Sequence, residues 1–236
     1  MIRQLDGAYN LTTLANRYGS DKGSEGVGAH HYTRLYDMLL GPRRASVSRM
    51  LEIGLLRGGP EVGKDKDRAT GSLPSIRMWL DYFPHAMVHG FDISDFSFYE
   101  DPRFTFHRGD SGVAADLGAV IANGERFDFI IDDGSHASYH QQLAFVTLFP
   151  ALNSGGLYII EDLQWQSPHY ESELPATPKT RDLFAELRRT GEVPKLTAPE
   201  LRPIRRLARE VSEVLLVDQP LTEKVIVKAA VIQKAY

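Results

Sequence analysis

Leu51-Glu52-Ile53-Gly54-Leu55-Leu56-Arg57-Gly58-Gly59 reads as a short apolar strand that breaks into a glycine-bearing loop. The run is too brief for an independent helix, and the glycines let the backbone pass close to something a Cβ would strike. The pattern recurs outward from it. Arg49–Leu55, Met87–Ile93, Phe104–Arg108, Phe127–Ile131 and Gly156–Ile160 are strand candidates. Ser75–Tyr82, Gly112–Ile121 and Tyr139–Phe149 are helix candidates between them. Such alternation predicts βα units around a mostly parallel sheet. The tail changes character: Val211–Asp218 and Lys224–Val231, joined by Gln219-Pro220-Leu221-Thr222-Glu223, predict an antiparallel hairpin. The expected fold is therefore α/β, with a seven-stranded, mostly parallel sheet that has one reversed strand.

The chain has 236 residues, 42% of them apolar and 25% charged, which suits one globular α/β domain with a core on both faces of its sheet. A net charge of -4 disfavours nucleic acid and acidic membranes as partners. There are no cysteines, so thiolate catalysis and Cys-ligated zinc are excluded. The polar Met1–Asn10 stretch lacks an apolar signal core, and no apolar run approaches the roughly 20 residues of a membrane span. A cytoplasmic location and no membrane partner are expected. Residues 1–45 read as an N-terminal helical cap, broken by Gly19-Ser20-Asp21-Lys22-Gly23, on a main domain over 46–236. Within that domain, 164–200 carries several prolines and one helix candidate, Lys179–Arg189, and reads as a lid or acceptor insertion rather than core. The arginines of Leu201–Glu210 read as a solvated helix face.

Acidic residues punctuate the strand ends: Glu52, Asp92, Asp110, Asp132-Asp133 and Glu161-Asp162. In an open parallel sheet, ligands bind outside those carboxyl ends. Asp92 is placed to accept from two ribose hydroxyls of a nucleoside cofactor, and a solvated strand-end carboxylate is the plain alternative. Asp110, with Ser111 beside it, suits an adenine amino group or merely a turn. The segments Ile130-Ile131-Asp132-Asp133-Gly134-Ser135-His136 and Ile159-Ile160-Glu161-Asp162 carry the most specific signal. Up to four carboxylates would converge there and repel, which a divalent cation with oxygen ligands, Mg²⁺ by preference, would offset. Solvent-facing caps are the competing reading. Histidine ordinarily titrates near neutrality, so His136, three residues after Asp133, suits a general base beside such a cation; a helix cap is the alternative.

These residues resemble the metal-dependent macrolide sugar O-methyltransferases of the mycinamicin and tylosin type, which have a Rossmann-like class I methyltransferase fold. The glycine loop resembles the E-x-G-x-x-x-G-G variant of methyltransferases, through Glu52, Gly54, Gly58 and Gly59. Further similarity runs through Tyr18-Gly19-Ser20-Asp21-Lys22, His31-Tyr32-Thr33, Ser75-Ile76-Arg77-Met78-Trp79, Gly90-Phe91-Asp92-Ile93 and Arg108-Gly109-Asp110, ending in the two acidic segments. The resemblance implies S-adenosyl-L-methionine and Mg²⁺ as cofactors. It places Asp133, Glu161 and Asp162 on the metal, His136 as the base, and Glu52, Gly54, Asp92, Asp110 and Asp132 around the cofactor. The expected activity is methyl transfer to a hydroxyl of a sugar or polyol in glycan or secondary-metabolite (antibiotic) tailoring. A catechol-type or other aromatic O-methyltransferase is the alternative within the class, and a nicotinamide-dependent oxidoreductase the alternative outside it. The missing G-x-G-x-x-G and the terminal hairpin argue against the latter. Two stretches depart from the family: the Lys- and Asp-rich Pro60–Ser72, and everything after Trp165, where an acceptor pocket would be shaped. A hydroxylated small molecule is the expected partner, with homo-oligomerisation left open.

Overall fold

The structure is a computed structural model that describes residues 10–26, 28–67, 72–221 and 224–236. Seven strands form one sheet: β1 (Arg49–Ile53), β2 (Met87–Asp92), β3 (Phe104–Arg108), β4 (Phe127–Asp132), β5 (Leu152–Ile160), β6 (Val211–Leu221) and β7 (Lys224–Lys234). Their order is β3-β2-β1-β4-β5-β7-β6. β1 to β5 pair in parallel, and β7 is the reversed strand, antiparallel to both β5 and β6. The expected hairpin is thus present. Its arms run longer than their apolar runs suggested, and residues 222 and 223 of its expected turn lie outside the described residues.

Strands buried on both faces explain why apolar residues stand side by side in them rather than alternating with polar ones. Along β4, Ile130 joins one core while Phe129 and Ile131 join the other, and along β5 Tyr158 and Ile160 alternate with Leu157 and Ile159 in the same way. One core is covered by α4 (Ala114–Ala119), α5 (Ser138–Leu148), α7 (Thr180–Thr190) and α8 (Ile204–Leu207). The other is covered by α1 (Leu11–Tyr18), α2 (Tyr32–Leu40) and α3 (Pro74–Tyr82), and Trp79 at its centre lies against Tyr36, Phe83 and Phe129.

The 164–200 stretch departs in part from its reading as an insertion. Leu183, Phe184 and Leu187 of α7, with Leu196 and Ala198 after it, are buried in the main core. An amphipathic helix outweighs the flanking prolines there, because its apolar stripe has α5 and β6 to cover. Only the first part, Gln164, Trp165 and Tyr170 with the short α6 (Pro168–Glu173), reaches the cavity described below. The arginines at 202, 205, 206 and 209 are exposed, as a solvated face requires, while Leu201, Ile204 and Leu207 between them are buried.

Register brings the acidic strand ends into line. Ile53 sits opposite both Phe91 and Asp132, and Asp132 opposite Ile160. The chain leaves β1 for β2 and β3 on one side and returns through β4 on the other. That reversal of strand order opens a crevice beyond β1 and β4, the usual ligand position in such sheets.

Candidate active site

A cavity of about 770 Å³ occupies that crevice, within the ordinary size range of small-molecule sites. Its floor is the glycine loop after β1. Gly54 has φ 80°, and a Cβ there would lie 2.1 Å from the carbonyl oxygen of Asp133, so only glycine lets these two loops touch. Backbone bonds hold the contact: Asp133 N–H donates to Ile53 O (2.9 Å), Gly54 N–H to Phe91 O (2.9 Å) and Glu161 N–H to Asp132 O (2.9 Å).

Asp92, at the end of β2, lines the cavity with both carboxylate oxygens anchored. Oδ2 accepts from Leu55 N–H and Oδ1 from Ser94 N–H, each at 2.7 Å. A carboxylate fixed in this way presents its remaining lone pairs in a set direction. Asp110 accepts from Gly112 N–H (2.7 Å) and, with Ser111, lines the wall further along. Glu52 and Asp132, expected around the cofactor, do not line the cavity. Both are buried behind its wall, and burial pushes each carboxyl up to about 7.

At the other end of the cavity the acidic segments converge as expected, but the cation among them is the chain's own Lys22. Its side chain is 2% exposed. Its Nζ donates to Asp133, lies 3.0 Å from both oxygens of Glu161, and sits 3.4 Å from Glu52 Oε1. Burial alone would lower the Lys22 pKa, but the charges of Asp133, Glu161 and Glu52 outweigh it and hold the ammonium well above its usual range. Tyr36 donates to Glu161 Oε1 as well, so Glu161 is held by internal donors and, like Glu52, does not reach the cavity wall. Burial and the nearby Asp133 charge still push the Glu161 carboxyl well up, against the pull of Lys22 and Tyr36.

Asp162 is held from the N-terminal side. Its Oδ1 accepts from Tyr32 Oη (2.6 Å) and Gln164 Nε2 (3.2 Å), with His30 Nδ1 3.2 Å away. Burial would raise its pKa, but the His30 hydrogen bond, the His136 and His30 charges and Tyr32 together lower it. Its Oδ2 faces His136 Nε2 at 3.9 Å. The His136 ring packs edge-on to Trp165, and its Nδ1 is buried without a hydrogen-bond partner among the described residues. His31, His136 and Asp162 are the non-glycine residues with positive φ among those described, at 60°, 59° and 52°. Strained backbone of this kind persists where the surroundings over-determine it, and all three lie at one end of one cavity or next to it.

Candidate ligating atoms of Asp133, His136 and Asp162 lie within 4.8 Å of one another. Three carboxylates, those of Glu52, Asp133 and Glu161, face the buried Lys22 ammonium, with Asp162 beside them; burial, then the Asp162 and Asp21 charges, raise the Asp133 pKa against the pull of Lys22 and His136. A hard divalent cation fits this donor set and charge balance. Of the expected metal residues, Asp133 and Asp162 are therefore presented directly, while Glu161 is held by Lys22 and Tyr36. The sequence gives Lys22 and Tyr36 no individual role, and His30 and Tyr32 stand in it only as part of a His30-His31-Tyr32 run after a Gly-rich loop that could fold over the pocket. Their local patterns signal only a Gly-rich break and a helix, although Lys22 and Tyr32 fall within the family-like segments. Ser135 Oγ and His140 Nδ1, 2.7 Å apart, were also missed; they pin the loop that carries His136, and the His140 ring meets Tyr170 edge-on.

No protein-family model matches this chain. It is 42% identical over 154 residues to the 8-demethyl-8-alpha-L-rhamnosyl tetracenomycin-C 2'-O-methyltransferase of Streptomyces olivaceus, covering 65% of this chain and 38% of that protein. It is 36% identical over 157 residues to the mycinamicin VI 2''-O-methyltransferase of Micromonospora griseorubida, covering 65% of this chain and 36% of that one. The chain therefore matches less than two fifths of the length of these curated relatives. Among solved structures, it is similar to the MycE methyltransferase of the mycinamycin biosynthetic pathway, determined with Mg, SAH and mycinamycin VI. The TM-score is 0.68 at 26% identity, over 96% of this chain and 54% of that chain.

Proposed function

We propose, from the premise that this chain has the class I methyltransferase fold, that it transfers a methyl group from S-adenosylmethionine to a sugar or polyol hydroxyl, with Mg²⁺. One observation carries the reading: a nucleoside-sized cavity with an anchored carboxylate, Asp92, at one end and the Asp133–His136–Asp162 cluster at the other. The relatives support it, since their names state O-methyl transfer on a rhamnosyl tetracenomycin and on mycinamicin VI.

Asp92 would hold the ribose hydroxyls and Asp110 with Ser111 the adenine end, while Gly54 lets the loop after β1 close against Asp133 beside them. Asp133 and Asp162, joined by Glu161, would hold the metal. When bound, the cofactor supplies an electrophilic methyl group and the divalent ion supplies Lewis acidity. The chain's own part is positioning and proton removal. His136 Nε2 takes the proton of the acceptor hydroxyl as its oxygen attacks, and the resulting imidazolium faces Asp162 Oδ2, which stabilises it. Trp165 against the imidazole and Tyr170, also on the cavity wall, narrow the space left for water.

The test is methyl transfer from isotopically labelled S-adenosylmethionine to a panel of acceptors, with products located by mass spectrometry. Labelled methyl on the sugar of a rhamnosylated polyketide or macrolide glycoside is expected. Methylation of catechol alone would move the acceptor to the aromatic class. Absence of transfer to every hydroxyl acceptor, with cofactor bound, would refute the reading.

A further inference from the structure

We infer that Tyr170 binds the cofactor rather than the acceptor: together with His140 it makes an aromatic wall for the adenine ring, held at the cavity by α6. This rests on the S-adenosylmethionine reading above, and it reassigns the first part of 164–200, whose sequence suggested an acceptor lid. Tyr170 is the tyrosine that lines the cavity among the described residues. Its ring meets the His140 imidazole edge-on, with centroids 4.7 Å apart at 62°. His140 in turn stands over the turn after β3. A Cβ on Gly112 would lie 2.8 Å from His140 Nε2 and 3.2 Å from Asp110 Oδ1, so glycine admits the imidazole beside the Asp110 carboxylate. The site thus runs from a hydrogen-bond acceptor, Asp110, to two neighbouring aromatic rings. That combination complements a flat base carrying an exocyclic amino group.

Electrostatics places the phenol at the same end. Burial first, and then the charges of Asp110, Glu61, Glu173 and Asp92, push the Tyr170 hydroxyl up to about 12. Asp110 and Asp92 are the carboxylates read above as the adenine and ribose partners. Burial also lowers the His140 pKa against the pull of Asp110, so its ring is neutral at pH 7 and packs without a charge. The short helix is tied down on two sides. Ser167, its N-cap, donates from Oγ to Glu61 O (2.6 Å), and Glu61 Oε1 accepts from Gly58 and Gly59 N–H (2.7 Å each), which joins α6 to the glycine loop. From the start of α5, Ser138 N–H donates to Gln166 Oε1 (3.1 Å) and Glu171 Oε1 (3.3 Å). The two stretches that depart from the family, after the glycine loop and after Trp165, therefore meet at Glu61 and Ser167, and their junction holds Tyr170 at the nucleoside half of the cavity.

The test reads binding, not turnover, and needs no metal. Calorimetry measures S-adenosylhomocysteine and 5′-methylthioadenosine, which keeps the adenine but lacks the amino-acid arm, on the wild type, Tyr170→Phe and Tyr170→Ala. Tyr170→Ala should weaken both ligands by the same factor, roughly 5- to 150-fold, the ordinary weight of one aromatic contact with a base. Tyr170→Phe, which keeps the ring, should recover most of that loss. In a deuterated chain carrying protonated tyrosine, nuclear Overhauser contacts should join the adenine protons of bound S-adenosylhomocysteine to tyrosine ring protons, and vanish in Tyr170→Phe. A purely structural role for Tyr170 would give no such contact. Weakened S-adenosylhomocysteine with 5′-methylthioadenosine unaffected would move Tyr170 to the amino-acid end and overturn the inference. Unchanged affinity for both ligands, or no Overhauser contact in the wild type, would overturn it as well while leaving the cofactor reading intact. Binding of neither ligand by the wild type would overturn both. The Overhauser arm needs only the wild type and Tyr170→Phe, should Tyr170→Ala fail to fold.

Discussion

Asp92→Asn is the sharpest probe of the cofactor end, because the structure shows what it removes. Each Asp92 oxygen takes one backbone N–H at 2.7 Å, from Leu55 and from Ser94. An asparagine of the same shape keeps one acceptor and turns its NH₂ toward the other N–H. One of these bonds to a charged acceptor is then lost, costing about 1.5–3 kcal/mol of stability. The cofactor also loses a charged acceptor for its ribose hydroxyls, worth about 1–3 kcal/mol. Binding of S-adenosylhomocysteine should therefore weaken roughly 5- to 150-fold. Calorimetric titration measures the binding term, and urea denaturation without ligand measures the stability term separately. Unchanged affinity in a folded Asp92→Asn chain would refute the placement of the ribose at β2.

Further outcomes follow from other residues. Gly54→Ala places a Cβ 2.1 Å from Asp133 O at φ 80°, so strain and overpacking together should cost about 2–6 kcal/mol and abolish cofactor binding; a denaturation midpoint near wild type would contradict this. His136→Ala should lower turnover about 10²–10⁴-fold with S-adenosylhomocysteine binding intact, and wild-type turnover would require another base. His89 stacks on His107, with Nδ1 3.0 Å from Nε2 of that ring; burial, then the His107 and Arg49 charges, lower its pKa to about 4. Between about pH 6.5 and 4 the unfolded chain then binds more protons at this residue than the folded one. Its contribution to stability is full above that window and falls as the pH drops through it. Urea midpoints at pH 5 and 7 should converge in His89→Gln relative to wild type, and an unchanged gap would exclude His89 as the cause.

The strand ends are legible because each short β-rich run carries an acid at or just past its end, and Phe104–Arg108 has the same limits in sequence and structure. β5 starts at Leu152 rather than Gly156, since Asn153-Ser154-Gly155 carries no strand pattern and Gly155 has φ 71° beside a register shift. α7 was visible as a helix, but its membership of the core was not, because proline-bearing flanks carry no information about what the helix packs on. The convergence of Asp133, Glu161 and Asp162 was readable from parallel strand order. The identity of the cation among them was not: Lys22 contacts residues 111 and 139 positions away, and nothing in Gly19-Ser20-Asp21-Lys22-Gly23 marks that lysine as buried. Burial of a charge is a property of its distant partners, which local pattern does not report.

Metal dependence of methyl transfer decides whether Asp133 and Asp162 hold a cation for the reaction. Labelled S-adenosylmethionine and a glycosylated polyketide acceptor are incubated with the chain after exhaustive EDTA treatment, then with Mg²⁺ restored, alongside Asp133→Ala and Asp162→Ala. Transfer should vanish in EDTA, return with Mg²⁺ in the wild type, and stay absent in both variants while S-adenosylhomocysteine still binds. Full transfer in EDTA, or transfer by either variant at the wild-type rate, would contradict it.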